Sequence, residues 1–441
     1  MMMETGWQRA VPRACLTRST VVLAVLAIIA VMLLPSVSAE QPGVPTGLPS
    51  LLASASTELS LSSAATKVVS QELTSAHAQY DGKFGYSVAI SGSTVVVGAP
   101  FEKDGVGHAY LINITTGLVK TLNTPPAKPG GYQDGGLFGF SVAASGSTVV
   151  VGAPFDAAAG RGSTAGRAFT FSAGTGDLIS TLVSPNAQGG GDFGWSVAIS
   201  GTTVVVGAPG ETVSGEYGAG HAYAFSAATG HLISTLTSPN AQGGGNFGFS
   251  AAISGTTVLV GAPFENASGD SEAGHAYTFK AATGSLISTL TSPNAQNYGW
   301  FGYSVGVSRT TVVVGAPYEN ASGEIRGGHA YTFNAATGDL ISTLTSPHVQ
   351  FFGTFGYAVG ASDTTVVVGA LYENVPRAVE AGYAYTFNAA TGSQISTLIS
   401  PNAQAYGNFG YGVAVSGTTV VVGAPFEKAS GHFEAGHAYV F

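Results

Sequence analysis

From residue 84 onward, short apolar runs alternate with short polar stretches in an order that repeats. In the copy beginning at Phe247, the segment FGFSAAIS has apolar residues at odd spacing and is followed by the turn SGTT. The continuous apolar run TVLVGAP comes next, then a polar loop, HAYTF, an Ala-Thr-Gly turn and LISTL. Short apolar runs between glycine-bearing turns predict four strands per copy, joined in order as a meander.

Each copy opens with Phe-Gly, and the copies are evenly spaced. The openings are separated by 54 residues, with one interval of 55, and lie at Phe84, Phe138, Phe193, Phe247, Phe301, Phe355 and Phe409. A fixed period near this length is typical of propellers and solenoids, and four meander strands make one propeller blade. We therefore predict an all-β fold, a seven-bladed β-propeller of four-stranded antiparallel blades, over residues 64–441.

The two ends of the repeat region complement each other. The last copy reaches Phe441 after only three predicted strands, and residues 64–79 (AATKVVSQELTSAHAQ) align without a gap on 281–296. We expect a strand around 68–73 to pair beside residues 437–441 and to close the ring, which would bury Val68, Val69 and Leu73.

The residues before the repeats predict export. Arg9, Arg13 and Arg18 precede an apolar stretch at 21–34, and the small-residue sequence SVSA follows. This pattern indicates a signal peptide over 1–39, with an uncleaved membrane anchor as the alternative. Residues 40–63 are rich in Pro, Gly and Ser and predict a flexible linker. The single cysteine, Cys15, would leave with the signal, so we expect a secreted or cell-surface protein without disulfides.

Charge limits the partners. The formal net charge is −9 and Lys and Arg do not cluster, which argues against nucleic acid. We also expect no membrane insertion of the mature chain. Low charge together with apolar composition leaves self-association open.

The motif itself resembles a known family. Phe-Gly followed some thirteen residues later by Gly-Ala-Pro, as in FGYSVAISGSTVVVGAP at 84–100, resembles the FG-GAP repeat of integrin α chains and of many secreted microbial proteins. One copy departs, with Gly-Ala-Leu at 369–371. The resemblance implies a propeller outside the cytoplasm with a binding or adhesion role.

Calcium-binding members of that family carry an aspartate-rich hairpin between the first two strands. Calcium takes about six to eight oxygen ligands, several of them carboxylates. Here Asp363 is the only carboxylate in seven hairpins of the type SGTT. We therefore expect no calcium in the hairpins, no metal site and no cofactor, as in a shortened variant of the repeat.

A carboxylate follows the Gly-Ala-Pro position in every copy, and a histidine opens the third strand in five copies. One interpretation is a ring of groups on one rim that binds a cationic or metal-bridged partner. The other, which we favour, is that each carboxylate caps its own loop and each histidine packs or hydrogen-bonds within its blade, because a feature copied seven times serves what every blade needs to fold. The candidates are Glu102, Asp156, Glu211, Glu265, Glu319, Glu373 and Glu427.

Residues that differ from one copy to the next are better candidates for determining which partner binds. The connections between copies vary, with an unusual loop at 123–136 and aromatic residues at Tyr298, Trp300, Phe351, Phe352 and Tyr406. Exposed aromatic residues suit carbohydrate or protein recognition, and packing between blades is the alternative. Asn113, Asn266 and Asn320 open glycosylation sequons.

No catalytic motif stands out, so we expect no enzyme. The phrase Ala-Ala-Thr-Gly-x-Leu-Ile at 281–287 is similar to repeats of quinoprotein dehydrogenases, but Ser and Thr stand where those repeats place a docking tryptophan. The sequence favours an exported scaffold that binds protein or carbohydrate partners. An extracellular enzyme, quinone-dependent or acting on polysaccharide, and a self-associating envelope component are the alternatives.

Overall fold

A computed structural model describes residues 65–66, 69–125, 136–157 and 165–441. These residues form seven sheets, one for each repeat, and within each repeat the strands pair antiparallel in chain order. The predicted seven-bladed β-propeller is therefore confirmed. The predicted signal peptide, the predicted linker and most of the loop at 123–136 lie outside the described residues.

Each blade contains the four predicted strands, which we number one to four from the axis outward. Blades 1 and 2 comprise Ser87–Ser91, Thr94–Ala99, His108–Asn113, Val119–Asn123, and Ser141–Ser145, Thr148–Ala153, Arg167–Ser172, Leu178–Leu182. Blades 3 and 4 comprise Ser196–Ser200, Thr203–Ala208, His221–Ser226, Leu232–Thr237, and Ser250–Ser254, Thr257–Ala262, His275–Lys280, Leu286–Thr291. Blades 5 and 6 comprise Ser304–Val307, Thr311–Ala316, His329–Asn334, Leu340–Leu344, and Val359–Ala361, Thr365–Ala370, Tyr383–Asn388, Gln394–Leu398. Blade 7 has Val413–Ser416, Thr419–Ala424 and His437–Val440, and a short helical turn, Glu102–Gly105, follows the second strand of blade 1.

Blade 7 is completed from the other end of the chain. Gln71–Leu73 pairs antiparallel with His437–Val440, with Glu72 opposite Tyr439, and the Leu73 side chain is buried. The predicted ring closure is confirmed with a shorter strand than expected, and Val68 lies outside the described residues. Ala65–Thr66 differs from the prediction, because it pairs parallel with Gln394–Leu398 as a fifth strand of blade 6. By alignment with 281–296 these residues belong to the turn before a fourth strand, whereas the structure pairs them with the outermost strand of blade 6.

The hydrophobic core lies between neighbouring blades rather than within them. Leu236 and Val205 of blade 3 pack with Phe247, Val258 and Tyr277 of blade 4 in one buried cluster. An equivalent cluster joins blade 7 to blade 1. Because each blade buries its faces only against its neighbours, the blades depend on one another for stability.

The glycines of the motif allow the blades to approach closely. Gly248 has a φ of +93°, a conformation that side chains disfavour. A Cβ placed on Gly207 of blade 3 would lie 2.0 Å from the carbonyl oxygen of Gly248 in blade 4. The Gly-Ala-Pro of one blade thus meets the Phe-Gly of the next.

The first strands surround a central channel. Its cavity of about 210 Å³ is lined by Val, Ala, Ile and Gly residues from all seven blades. The residue after each Phe-Gly adds an aromatic side chain, and neighbouring ring centroids lie 4.8 to 5.5 Å apart around a closed circle. The circle consists of Tyr86, Phe140, Trp195, Phe249, Tyr303, Tyr357 and Tyr411.

Candidate functional site

Two sets of connections interlock on one rim of the propeller, which we call the loop rim. They are the loops between strands two and three and the connections from strand four to the next blade. The backbone N–H of Phe352 donates to the carbonyl oxygen of Ile325 at 2.9 Å, and that of Tyr406 donates to Val379 at 2.8 Å. The two sets therefore lie together.

The loop rim carries every exposed aromatic side chain of the described residues. The seven are Tyr80, Tyr217, Tyr298, Phe351, Phe352, Tyr406 and Phe433. The opposite rim, which we call the hairpin rim, consists of the Ser-Gly-Thr-Thr hairpins and the Ala-Thr-Gly turns. The two rims thus differ in chemistry although the same repeat builds both.

Several of these aromatic residues sit on constrained backbone. Tyr298, Phe352 and Tyr406 have φ values of 61°, 58° and 64°, in a region that bulky residues seldom occupy. The neighbouring loop hydrogen-bonds the backbone at each of the three positions. Exposed aromatic side chains on a backbone that neighbouring loops hold in an unfavourable conformation are typical of binding loops.

Trp300 has a different environment from its predicted partners on the rim. Its ring is half-buried and lies 4.3 Å from that of Tyr318 and 5.0 Å from that of Phe264, which belong to adjacent repeats. Its Nε1 donates to Glu272 at 3.2 Å. Trp300 therefore packs between blades, whereas Tyr298, Phe351 and Phe352 stand exposed.

The repeated carboxylates are buried. In blade 4, Glu265 accepts a hydrogen bond from the Tyr277 hydroxyl at 2.5 Å, and its Oε2 lies 2.9 Å from Nδ1 of His275. Burial and the nearby Glu265 charge both raise the pKa of Tyr277. Exposure is 0% for six carboxylates and 7% for Asp156; the six are Glu102, Glu211, Glu265, Glu319, Glu373 and Glu427.

The carboxylates of blades 1, 3 and 7 also tie one blade to the next. Ser400, in the connection that leaves blade 6, donates to Glu427 of blade 7 at 2.5 Å. Tyr439 of blade 7 donates to the same carboxylate, also at 2.5 Å. A carboxylate with such partners is held inside the protein, which counts against direct contact with a binding partner.

Two blades hold the carboxylate with other donors. In blade 2, Arg167 replaces the histidine and its Nη2 lies 2.6 Å from Asp156 Oδ2. In blade 6, Tyr383 replaces the histidine, and the Tyr385 hydroxyl donates to Glu373 at 2.5 Å. Burial raises the pKa of Glu373 to about 8.

The one carboxylate of the hairpins already has a partner. Asp363 Oδ2 lies 2.8 Å from Nη2 of Arg309 in the preceding hairpin. That guanidinium lowers the pKa of Asp363. The expectation of no calcium in the hairpins stays a prediction, which this pairing supports.

The three sequon asparagines lie on different rims. Asn113 is at the end of a third strand, and its Oδ1 accepts the N–H groups of Thr115 and Thr116 at 3.0 Å. Asn266 and Asn320 are exposed on the loop rim, where each Oδ1 accepts a backbone N–H of its own loop. Their modification stays a prediction.

One group of residues in blade 1 was not foreseen. Among the described residues, only His77, Glu102 and His108 form a group of three side chains whose ligand atoms come within 4.8 Å of one another. Glu102 and the repeated histidine are candidates from the sequence, but His77 was missed. The sequence does mark this position, because His77 replaces the asparagine that most copies of the connection have, as in SPNAQ.

A family model described as FG-GAP repeat matches residues 69–112, 130–171, 178–225, 232–279, 285–333 and 393–441. The unmatched stretch between 333 and 393 contains the Gly-Ala-Leu departure. No curated protein is similar enough to count as a relative of this chain.

Within the described residues, no helix has the length and apolarity that a bilayer span requires.

Proposed function

The chain belongs to the FG-GAP repeat family, and from this premise we propose that it is an exported binding scaffold for protein or carbohydrate partners. The observation that carries the proposal is the placement of all seven exposed aromatic side chains of the described residues on the loop rim. Aromatic side chains supply large contact area at low entropic cost, which suits recognition surfaces. Binding would occur at this rim.

The buried carboxylates take a structural part in this proposal. Each of the six glutamates accepts a hydrogen bond from a tyrosine hydroxyl of its own blade. Glu102, Glu211 and Glu427 also accept one from a serine in the preceding connection. The variable loops above them then supply specificity. This division matches the general pattern in which a rigid scaffold positions binding loops.

The experiment compares the two rims. We would titrate labelled protein onto intact cells and onto immobilised extracellular glycans. The rim variant combines Tyr298→Ser, Phe351→Ser and Phe352→Ser. The control combines Leu118→Ser, Leu178→Ser and Leu232→Ser, which are equally exposed but lie toward the hairpin rim. We expect the rim variant to lose binding at least about tenfold, because aromatic anchors dominate interfaces. Equal binding by both variants would contradict the proposal.

Export has its own test. The intact mass of protein recovered from outside the cell should correspond to a chain beginning at Glu40, with sugar masses added if Asn266 or Asn320 is modified. A mass that includes residues 1–39 would instead support the uncleaved anchor.

A second candidate function is self-association. The fourth strands leave apolar pairs exposed at the outer edge, with Leu232 and Ile233 at 45% and 40% and Leu286 and Ile287 at 44% and 39%. Exposed edge strands with apolar side chains favour pairing with another copy. Concentration-dependent sedimentation that Ile233→Lys and Ile287→Lys abolish would support this candidate, and a monomer at all concentrations would exclude it.

A further inference from the structure

We propose that blade 1 holds a transition-metal site, suited to Zn²⁺, whose ligands are His77, Glu102 and His108. This inference goes beyond the proposed function and does not depend on it. The three side chains come from different places in the chain, since His77 lies in the connection that leaves blade 7 and the other two belong to blade 1. Ring closure therefore brings them together.

The geometry suits a small cation. Nδ1 of His108 lies 2.8 Å from Oε2 of Glu102, and the centroids of the two imidazole rings are 5.2 Å apart. Ligands of a tetrahedral zinc ion lie about 3.4 Å from one another, given bonds of about 2.0 to 2.1 Å. His77 is exposed on a loop, where its side chain is free to adjust, whereas Glu102 and His108 are buried.

The chemistry of the ligands also suits zinc. Two imidazoles and one carboxylate form a ligand set that proteins use for Zn²⁺, with the fourth position left to water or to another group. Here that position would face the solvent on the side of His77. A carboxylate or imidazole of a partner could fill it.

The surroundings hold the ligands in place. Ser75 Oγ donates to Glu102 at 2.5 Å and also accepts the backbone N–H of His77 at 2.9 Å. The Tyr110 hydroxyl donates to the other oxygen of Glu102 and lies 3.1 Å from Nδ1 of His77. Hydrogen bonds of this kind orient ligands and are part of most metal sites.

The other blades supply internal controls. Asn186, Asn240, Asn294 and Asn402 replace the loop histidine in blades 3, 4, 5 and 7, so these blades have one imidazole each. Blade 6 has the loop histidine, His348, but its third strand opens with Tyr383, whose ring lies 5.1 Å from that of His348. Only one further substitution separates blade 6 from the arrangement in blade 1.

The experiment measures zinc binding to the full chain after metal has been stripped with a chelator. Zn²⁺ is titrated in competition with a chromophoric chelator, and Co²⁺ is added separately to record the visible bands of four-coordinate cobalt. We expect one high-affinity Zn²⁺ per chain. His77→Asn should weaken it at least about tenfold and remove the cobalt bands, because loss of a ligand exceeds the effect of losing a supporting hydrogen bond.

Two further variants complete the test. His348→Asn should leave zinc binding unchanged, because it alters the matching loop position in a blade that lacks the second imidazole. Tyr383→His should raise the stoichiometry from one to two. His77→Asn introduces the residue that other blades have at this position, so it should fold, and circular dichroism checks this. Equal zinc affinity in the wild type and His77→Asn, or no zinc binding by the wild type, would overturn the proposal.

Discussion

Blades 2 and 6 place a carboxylate at the same buried position and satisfy it in different ways. In blade 2, Asp156 faces the guanidinium of Arg167, and Phe169 stands where most blades have tyrosine. In blade 6, Glu373 faces two tyrosines and no cation. The fold therefore requires hydrogen-bond donors at this position, and it accepts either a charged or a neutral set.

The two arrangements differ in their electrostatics. Burial raises the pKa of both carboxyls, but Arg167 offsets part of this effect in blade 2. In blade 6 the hydrogen bond from Tyr385 offsets a smaller part of it, and the pKa of Glu373 reaches about 8. Blade 2 thus buries an ion pair, and blade 6 buries a carboxylic acid that is largely neutral at pH 7.

The largest expected effect follows from breaking the ion pair. Arg167→Ala should lower the free energy of unfolding by about 3 to 5 kcal/mol, because it leaves Asp156 buried without its cation. Urea unfolding measures this. The double variant with Asp156→Ala should cost less than the two single variants together. A loss below about 1 kcal/mol in Arg167→Ala would mean that the pair does not support the blade.

The raised pKa of Glu373 predicts that its contribution to the free energy of unfolding depends on pH. Between pH 4.5, the ordinary pKa of glutamate, and about 8, the folded protein keeps the Glu373 proton that the unfolded chain releases. The contribution of Glu373 to the free energy of unfolding should therefore fall as the pH rises through this window, by up to about 1.4 kcal/mol per unit, and level off above it.

Glu373→Gln isolates this contribution, because the amide does not titrate and other groups are unchanged. The difference between wild-type and variant unfolding free energies should shift in favour of the variant from pH 5 to pH 8. A constant difference would show that Glu373 titrates alike in the folded and unfolded states.

The smallest effect is expected for the exposed ion pair of the hairpin rim. Arg309→Ala removes the partner of Asp363 in a solvent-exposed pair. We expect a loss below about 1 kcal/mol, which high salt should erase, because water and ions screen exposed pairs. A loss as large as that of Arg167→Ala would remove the distinction between buried and exposed carboxylates.

The fold was predictable from the sequence because recurring motifs mark where the strands of each repeat begin and end. Phe-Gly marks each first strand, Gly-Ala-Pro ends each second strand, and the gap-free alignment of residues 64–79 shows which strand completes blade 7. The pairing of Ala65–Thr66 with blade 6 was not predictable, since it depends on an edge that only the closed ring provides.

The sequence favoured a structural role for the carboxylates but did not predict which residues donate hydrogen bonds to them. A glutamate in a polar loop after a strand has the pattern of an exposed residue, and its donors lie 12 residues later and 27 residues earlier in the chain. The alternation of apolar and polar residues within one strand does not predict contacts between residues so far apart in the chain. The joint replacement of three residues in blade 2, Asp156, Arg167 and Phe169, was the available sign that these positions touch.

We infer that the repeated carboxylates stabilise their blades rather than bind a partner, and the stability of a Glu265→Gln variant decides between the two roles. The substitution preserves the shape of the side chain but removes the charge that Tyr277 and His275 face. The urea unfolding midpoint should fall by the equivalent of about 1.5 to 3 kcal/mol. An unchanged midpoint would show that Glu265 does not stabilise its blade, contrary to this inference.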